Sequence, residues 1–214
     1  MPAMNDFDGA RGTIVIVDDD DPVQESLQLL LETAGFRTRR HQTGEELLRH
    51  GPPDGPACVL LDLNMPGLNG IEVQESLHES GWDVPIVFLT GHGDVPAAVK
   101  ALKSGAVDFL QKNQLNAATL IDRVEQCVGE HKRRMAERES SEAEKSLLSR
   151  LTPREFEVAH QAASGVTNKV IGLELGISER TVEIHRGRAM KKLGLRRAAD
   201  LARMKPAFDK LASD

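Results

Sequence analysis

Short apolar runs alternate with amphipathic segments over the first half of the chain. Four runs rich in branched residues occupy positions 13–17, 57–61, 85–89 and, less regularly, 106–110. Runs of this length and composition are typical of buried parallel strands. Helical patterns lie between them; the first opens at Pro22 and closes at Gly35. Strands that alternate with helices predict a doubly wound α/β sheet of parallel strands.

The pattern changes after this segment and becomes entirely helical. Over residues 114–150 the apolar residues keep a helical period while charged residues become more frequent, which predicts a long helix that becomes exposed to solvent. Beyond residue 150 no strand pattern appears. We therefore expect an α/β domain over 12–124, a helical linker over 125–150 and an all-α domain over 151–214.

Three helices in the last segment have clear start and stop signals. Thr152 and Pro153 begin the first, a second runs over 168–175 and ends at Gly176, and Ser178 precedes a third over about 179–193. Two helices joined by a short turn that contains glycine describe a helix-turn-helix. The third helix sets an apolar seam beside a basic face, as a helix in the major groove of DNA requires. A packed helix with ordinary surface charges is the alternative at this stage.

Charge is divided unevenly along the chain. The net charge of -6 combines about -10 over 1–124, zero over 125–150 and about +4 over 151–214. The basic end could therefore face a polyanion.

No stretch of 18 apolar residues exists that would span a bilayer, and we expect a cytoplasmic protein. Cys58 and Cys127 are far apart and lack the spacing of metal ligands, so we expect two reduced thiols.

Polar residues stand at the end of each predicted strand: Asp18 and Asp19, Asp62, Thr90 and Lys112. In an open α/β sheet, ligands bind at the carboxyl ends of the strands, so these residues are expected to form one site. Clustered carboxylates need a cation, and oxygen ligands suit Mg²⁺. A carboxylate can also attack phosphorus and form an aspartyl phosphate. Taken singly, each residue could instead cap a helix or begin a loop.

The motifs around these residues resemble two-component response regulators, and the run over 90–96 resembles the FixJ branch. The matching motifs are 17–20, 61–70, 89–96 and 106–112. This resemblance implies a five-stranded receiver domain that is phosphorylated by a sensor histidine kinase and pairs as a homodimer. It implies that Asp62 is the phosphoacceptor and that Mg²⁺ is held by Asp18, Asp19, Asp62 and the Asn64 carbonyl. It also implies that Thr90 and Phe109 are switch residues and that Lys112 is the phosphate-contacting lysine.

One position departs from the family's pattern. Asn113 follows Lys112 where the family usually has proline, often in a cis peptide. Without proline a cis bond costs about 2–3 kcal/mol more, which favours a trans bond or a shifted loop.

The last segment is similar to the LuxR-type DNA-binding domain, through motifs at 151–155, 168–171, 177–186 and 190–193. The resemblance implies binding to double-stranded DNA and contact with RNA polymerase. It places Glu183, Ile184 and Gly187 at base edges. It makes these residues phosphate contacts: Lys169, Thr181, His185, Arg188 and Lys192. Glu183 and Gly187 are acidic or small where related proteins often have bases, and Arg197 replaces a common serine.

Two other functions compete with this interpretation. A haloacid-dehalogenase-like phosphatase also uses an aspartate at a strand end, but it needs a second aspartate where Asn64 stands. A regulator of the same fold that works without phosphate, or only partly with it, stays open. The sequence also leaves open whether the unphosphorylated form is autoinhibited or merely monomeric.

Overall fold

The computed structural model describes residues 11–91 and 105–213. The chain divides into two compact units, Met1–Met135 and Ala136–Asp214. Among the described helices, none is both long enough and apolar enough to cross a membrane.

The first unit is built from alternating strands and helices, as the sequence predicts. In chain order the described elements are β1 (Thr13–Val17), α1 (Asp21–Thr33), β2 (Arg37–His41), α2 (Gly44–His50), β3 (Ala57–Asp62), α3 (Gly70–Glu79), β4 (Ile86–Thr90), β5 (Asp108–Gln111), a 3₁₀ turn (Lys112–Gln114) and α4 (Ala117–Leu148). The division between the two units falls within α4.

All five strands are parallel and lie in the order β2-β1-β3-β4-β5. The strand order reverses between β1 and β3, and the crevice at such a switch point is where doubly wound sheets bind ligands. The predicted five-stranded parallel fold is thereby confirmed.

Two details of the strand prediction need correction. β2 has the sequence RTRRH and lacks the apolar run by which the other strands were predicted; it pairs with β1 through its backbone, from Thr13 opposite Arg37 to Val17 opposite His41. As the edge strand of the sheet, it leaves its arginines exposed. β5 begins at Asp108, two residues later than the run at 106–110 suggests.

Alternate residues of the central strands supply two apolar cores. Val15, Val59 and Phe88 point to one face, where α2 and α3 pack, while Ile14, Leu60 and Leu89 point to the other face, where α1 and α4 pack. The two cysteines are free and buried, both in the second core. Burial on both faces explains the continuous apolar runs of β1, β3 and β4.

Gly70 lets α3 begin directly beneath the end of β3. A Cβ on this residue would lie 2.4 Å from the carbonyl oxygen of Asp62 and 2.9 Å from the Phe88 ring. Such close approach is open only to glycine. The glycine therefore fixes how tightly α3 packs against the backbone that carries Asp62.

The second unit contains the end of α4 and five further helices. They are α5 (Pro153–Ala163), α6 (Asn168–Leu175), α7 (Glu179–Lys192), α8 (Ala198–Arg203) and α9 (Lys205–Ser213). The predicted caps are present: Thr152 forms a capping box with Glu155, and the Ser178 side chain accepts a hydrogen bond from the Thr181 N–H. Leu148, Ala159, Ala189 and other buried residues form the main apolar core.

Candidate functional site

Three carboxylates meet at the carboxyl edge of the sheet. Asp18 follows β1 directly, Asp62 is the last residue of β3, and one oxygen from each of Asp18, Asp19 and Asp62 lies within 4.8 Å of the others. Asp18 and Asp62 are buried, whereas Asp19 is exposed. The parallel strands thus bring together residues that are more than forty positions apart in the chain.

A buried glutamine organises the loop after β1. Gln24, on α1, donates through Nε2 to the carbonyl oxygens of Asp18 (2.6 Å) and His41 (2.7 Å). The Asp18 carboxylate in turn accepts a hydrogen bond from the Asp20 N–H at 3.1 Å. Gln24 has no signature in the sequence, because a glutamine within an amphipathic helix resembles any other polar surface position.

Lys112 reaches the carboxylates from the end of β5. Its ammonium nitrogen lies 2.6 Å from Asp18 Oδ2 and 3.2 Å from Asp62 Oδ2. Burial acts to lower the pKa of Lys112. The hydrogen bonds and ion pairs that Lys112 forms with Asp18 and Asp62 have the larger combined effect and hold its pKa above the usual value. Every peptide bond in the described residues is trans, including the bond from Lys112 to Asn113. Proline after the lysine is therefore not required for the contact.

Asp62 is a perturbed carboxyl group. Burial, together with the nearby Asp18 charge, raises its pKa, while Lys112 and the Asn64 N–H act in the opposite direction. Perturbed carboxyl groups in a cleft are candidates for chemical function.

The donor set fits a hard divalent cation. Three carboxylates and one ammonium leave a formal charge of minus two, which a divalent ion would neutralise. Oxygen ligands with room for water are what Mg²⁺ prefers.

The predicted switch residues lie on the neighbouring strands. Thr90 ends β4 and is fully buried, opposite Gln111 in the register. Phe109 in β5 is half-buried, with its ring centroid 6.5 Å from that of Phe88. The rest of the predicted motif at 92–96 lies outside the described residues.

A second candidate surface is the exposed side of α7. Val182 and Ala189 are buried against the domain, whereas Glu183, Ile184 and Arg188 are exposed. Ile184 is 44% exposed, although it is a large apolar residue. Gly187 is exposed on the same helix, with nothing within 4 Å of where its Cβ would lie. An exposed stripe of this kind suits contact with base edges.

The predicted phosphate contacts differ in the exposure of their side chains and in the hydrogen bonds that these side chains form. Lys169 and Arg188 are exposed, and the Thr181 hydroxyl lies 2.7 Å from that of Ser178. His185 is half-buried, with its Nδ1 enclosed.

Lys192 forms an ion pair inside the domain. Its Nζ lies 2.6 Å from Oε2 of the buried Glu155, on α5. This hydrogen bond, together with the Thr152 backbone N–H, lowers the Glu155 pKa from 4.5 to about 2. This pair could not be predicted from the sequence, because the two residues are 37 positions apart.

Comparisons with known proteins cover both units. Residues 14–125 match the response regulator receiver domain, and residues 149–205 match the bacterial regulatory proteins of the luxR family. Nodulation protein W of Bradyrhizobium diazoefficiens is 39% identical over 91% of this chain and 85% of its own length. The transcriptional regulatory protein FixJ of Rhizobium meliloti is 35% identical over 90% of this chain and 94% of its own length. Among solved structures, the response regulator StyR covers 94% of this chain and 100% of its own, with 40% identity and a TM-score of 0.82.

Proposed function

The chain belongs to the two-component response regulators that join a receiver domain to a LuxR-type DNA-binding domain, and on that premise we propose that Asp62 is its phosphoacceptor. The observation that supports this assignment is the convergence of Asp18, Asp19, Asp62 and Lys112 at one edge of the sheet. The donor of the phosphoryl group is a sensor histidine kinase.

The Asp62 carboxylate acts as the nucleophile. An oxygen of Asp62 attacks phosphorus, a P–O bond forms, and the P–N bond to the kinase imidazole breaks with its electron pair going to nitrogen. Asp18, Asp19, Asp62 and the Asn64 carbonyl would hold Mg²⁺, which supplies charge neutralisation for the phosphoryl oxygens. Lys112 already lies beside Asp62 and would contact the phosphate that replaces the carboxylate charge.

Phosphorylation is proposed to bias the receiver between two states. The Thr90 hydroxyl moves toward the phosphate, and Phe109 turns inward into the space that Thr90 leaves. The phosphorylated receiver pairs with a second copy. A ligand shifts such an equilibrium only by its differential affinity for the two states, so pairing follows from whichever state holds the phosphate better.

The second unit is proposed to bind double-stranded DNA through α7. Glu183, Ile184 and Gly187 face the base edges. The phosphate contacts are Lys169, Thr181, His185, Arg188 and Lys192. Pairing through the receivers raises the effective concentration of the second DNA-binding domain and adds its phosphate contacts. Bound to its operator in the cytoplasm, the dimer regulates transcription and contacts RNA polymerase.

We assign the receiver to residues 12–124, the linker to 125–150 and the DNA-binding domain to 151–214. The continuous helix α4 supports a helical linker in this region.

Phosphorylation of Asp62 is tested on the intact chain. Incubation with acetyl phosphate and Mg²⁺ should add one phosphoryl group, measured by intact-protein mass spectrometry. Asp62→Asn should abolish the addition, whereas Asp54→Asn, which changes an exposed aspartate of the loop before β3, should leave it unchanged. The assignment is wrong if phosphate persists on the Asp62→Asn protein or forms fully when the metal is chelated.

A further inference from the structure

A second group of metal-binding side chains lies at the edge of the sheet beside β2. It consists of His41, the last residue of β2, with Glu46 and His50 on α2. One ligand atom from each residue lies within 4.8 Å of the other two. We infer that these three residues bind a transition-metal ion of the zinc class, at a site that shares no ligand with the carboxylates around Asp62.

His41 carries an imidazole nitrogen that lacks a hydrogen-bond partner. His41 is only 6% exposed, and its Nδ1 is enclosed without a hydrogen bond. This nitrogen lies 3.7 Å from Glu46 Oε1, which is too far for a hydrogen bond. A buried polar atom with no partner costs free energy, and metal coordination would satisfy it.

The side chains of Glu46 and His50 are oriented by hydrogen bonds within and beside α2. Glu46 and His50 are four residues apart on α2 and therefore share one face of the helix. Glu46 Oε2 accepts a hydrogen bond from the Gln42 N–H at 2.9 Å, which leaves Oε1 on the side of His41. His50 Nδ1 lies 2.9 Å from the Glu46 carbonyl oxygen. A carbonyl only accepts, so Nδ1 carries the proton and Nε2 keeps its lone pair.

These contacts are the ones that orient metal ligands in proteins. A ligating histidine commonly donates its other N–H to a backbone carbonyl, as His50 does. Two imidazoles and one carboxylate are a frequent ligand set for Zn²⁺, with a fourth position for water. Nitrogen ligands are poor for Mg²⁺, so the chemistry separates this site from the acidic pocket. Because His50 is exposed, an ion can reach the site from solvent.

The site is connected to the phosphoacceptor pocket through the backbone. The His41 carbonyl accepts hydrogen bonds from the Asp18 N–H (3.2 Å) and from Gln24 Nε2 (2.7 Å). A metal ion at His41 would therefore fix the end of β2 against the loop that carries Asp18.

The test uses the full, untagged chain, freed of metal and then held in excess Mg²⁺ to occupy the acidic pocket. Zn²⁺ is titrated by calorimetry, and Co²⁺ is added separately to record the visible absorption of nitrogen-ligated cobalt. We expect one Zn²⁺ per chain and a cobalt spectrum typical of imidazole ligands. His50→Ala and Glu46→Gln should each weaken Zn²⁺ binding at least about tenfold, since each removes a ligand.

His78→Ala is the matched control, because His78 is an exposed histidine on α3 and outside the cluster. It should bind Zn²⁺ as the unmodified chain does. Fluorescence of Trp82 in the receiver checks that each variant is folded, and His50 is exposed, so its replacement should be tolerated. The inference is overturned if Zn²⁺ fails to bind at micromolar concentration, if excess Mg²⁺ displaces it, or if His50→Ala and Glu46→Gln bind it unchanged.

Discussion

The ion pair between Glu155 and Lys192 should stabilise the DNA-binding domain. It joins α5 to the last turn of α7, with 2.6 Å between Lys192 Nζ and Glu155 Oε2. Replacing Lys192 by methionine keeps the length of the side chain and removes the charge. The Glu155 carboxylate, 5% exposed, would then keep only its contact with Thr152, from which Oε2 accepts the backbone N–H.

The pKa of Glu155 sets the magnitude. A pKa lowered from 4.5 to about 2 corresponds to about 3 kcal/mol in favour of the ionised carboxylate in the folded domain. The Lys192 hydrogen bond is the largest cause, and the Thr152 N–H shares the same oxygen. Because the Lys192 side chain is 38% exposed, solvent screens part of its contribution. We expect Lys192→Met to lower the free energy of unfolding of the domain by about 1–2 kcal/mol.

Hydrogen exchange measured by mass spectrometry can follow the DNA-binding domain within the full chain. Peptides from α5 and α7 should exchange roughly 5- to 30-fold faster in Lys192→Met at neutral pH, if exchange there requires opening of the domain. Peptides from the receiver serve as an internal reference. Lys191→Met is the matched control, since Lys191 is an adjacent, exposed lysine.

The effect should also depend on pH. The folded-state pKa of Glu155 is lowered, so its stabilisation is fully present above about pH 4.5 and is lost as the pH falls toward 2. The difference between Lys192→Met and the unmodified chain should therefore shrink over that window. Equal exchange in Lys192→Met and Lys191→Met, or a difference that persists unchanged in acid, would refute the reasoning.

Three further predictions concern packing, switching and DNA recognition. Gly172→Ala should unfold the helix-turn-helix locally, because the added Cβ would lie 2.7 Å from the Ile177 carbonyl oxygen. Circular dichroism should show a loss of helix in this variant. Gly187→Ala is the control and should keep its helix, because nothing lies within 4 Å of the added Cβ. We expect a beryllofluoride phosphate mimic to increase the dimer fraction of the unmodified chain in sedimentation and to leave Thr90→Ala unchanged; equal dimer formation by both proteins would contradict the proposed switch. Arg188→Ala should weaken binding to all DNA and reduce the salt slope by about one charge, whereas a Glu183→Ala variant should change sequence preference in gel shifts.

The convergence of Asp18, Asp19, Asp62 and Lys112 was predictable from the sequence because it follows from the topology of the sheet. Each polar residue follows an apolar run, and parallel strands necessarily bring those ends to one edge. The rotation of each side chain within the pocket was not predictable in this way. That Lys112 contacts both Asp18 and Asp62, and that Gln24 ties the loop to β2, depends on packing between elements far apart in the chain.

The strand that sequence analysis missed shows where periodicity fails. β2 has no apolar alternation, because an edge strand needs only backbone hydrogen bonds on one side and leaves most of its side chains to solvent. His41 is its one buried residue. The proposed zinc site was hidden for the same reason, since without β2 nothing in the pattern places His41 beside α2.

The charges of α7 show why counting bases overstates the attraction to DNA. Two of its bases are engaged within the domain: Lys192 pairs with Glu155, and Arg186 Nη1 donates to the Asn168 side chain at 3.0 Å. Each engaged base must either leave its partner or share its protons to contact a phosphate. Affinity from counterion release scales with the number of phosphates that are neutralised. A single domain of net charge about +4 therefore has fewer unengaged bases for DNA phosphates than its composition suggests, and the proposed pairing through the receivers would add the bases of a second domain.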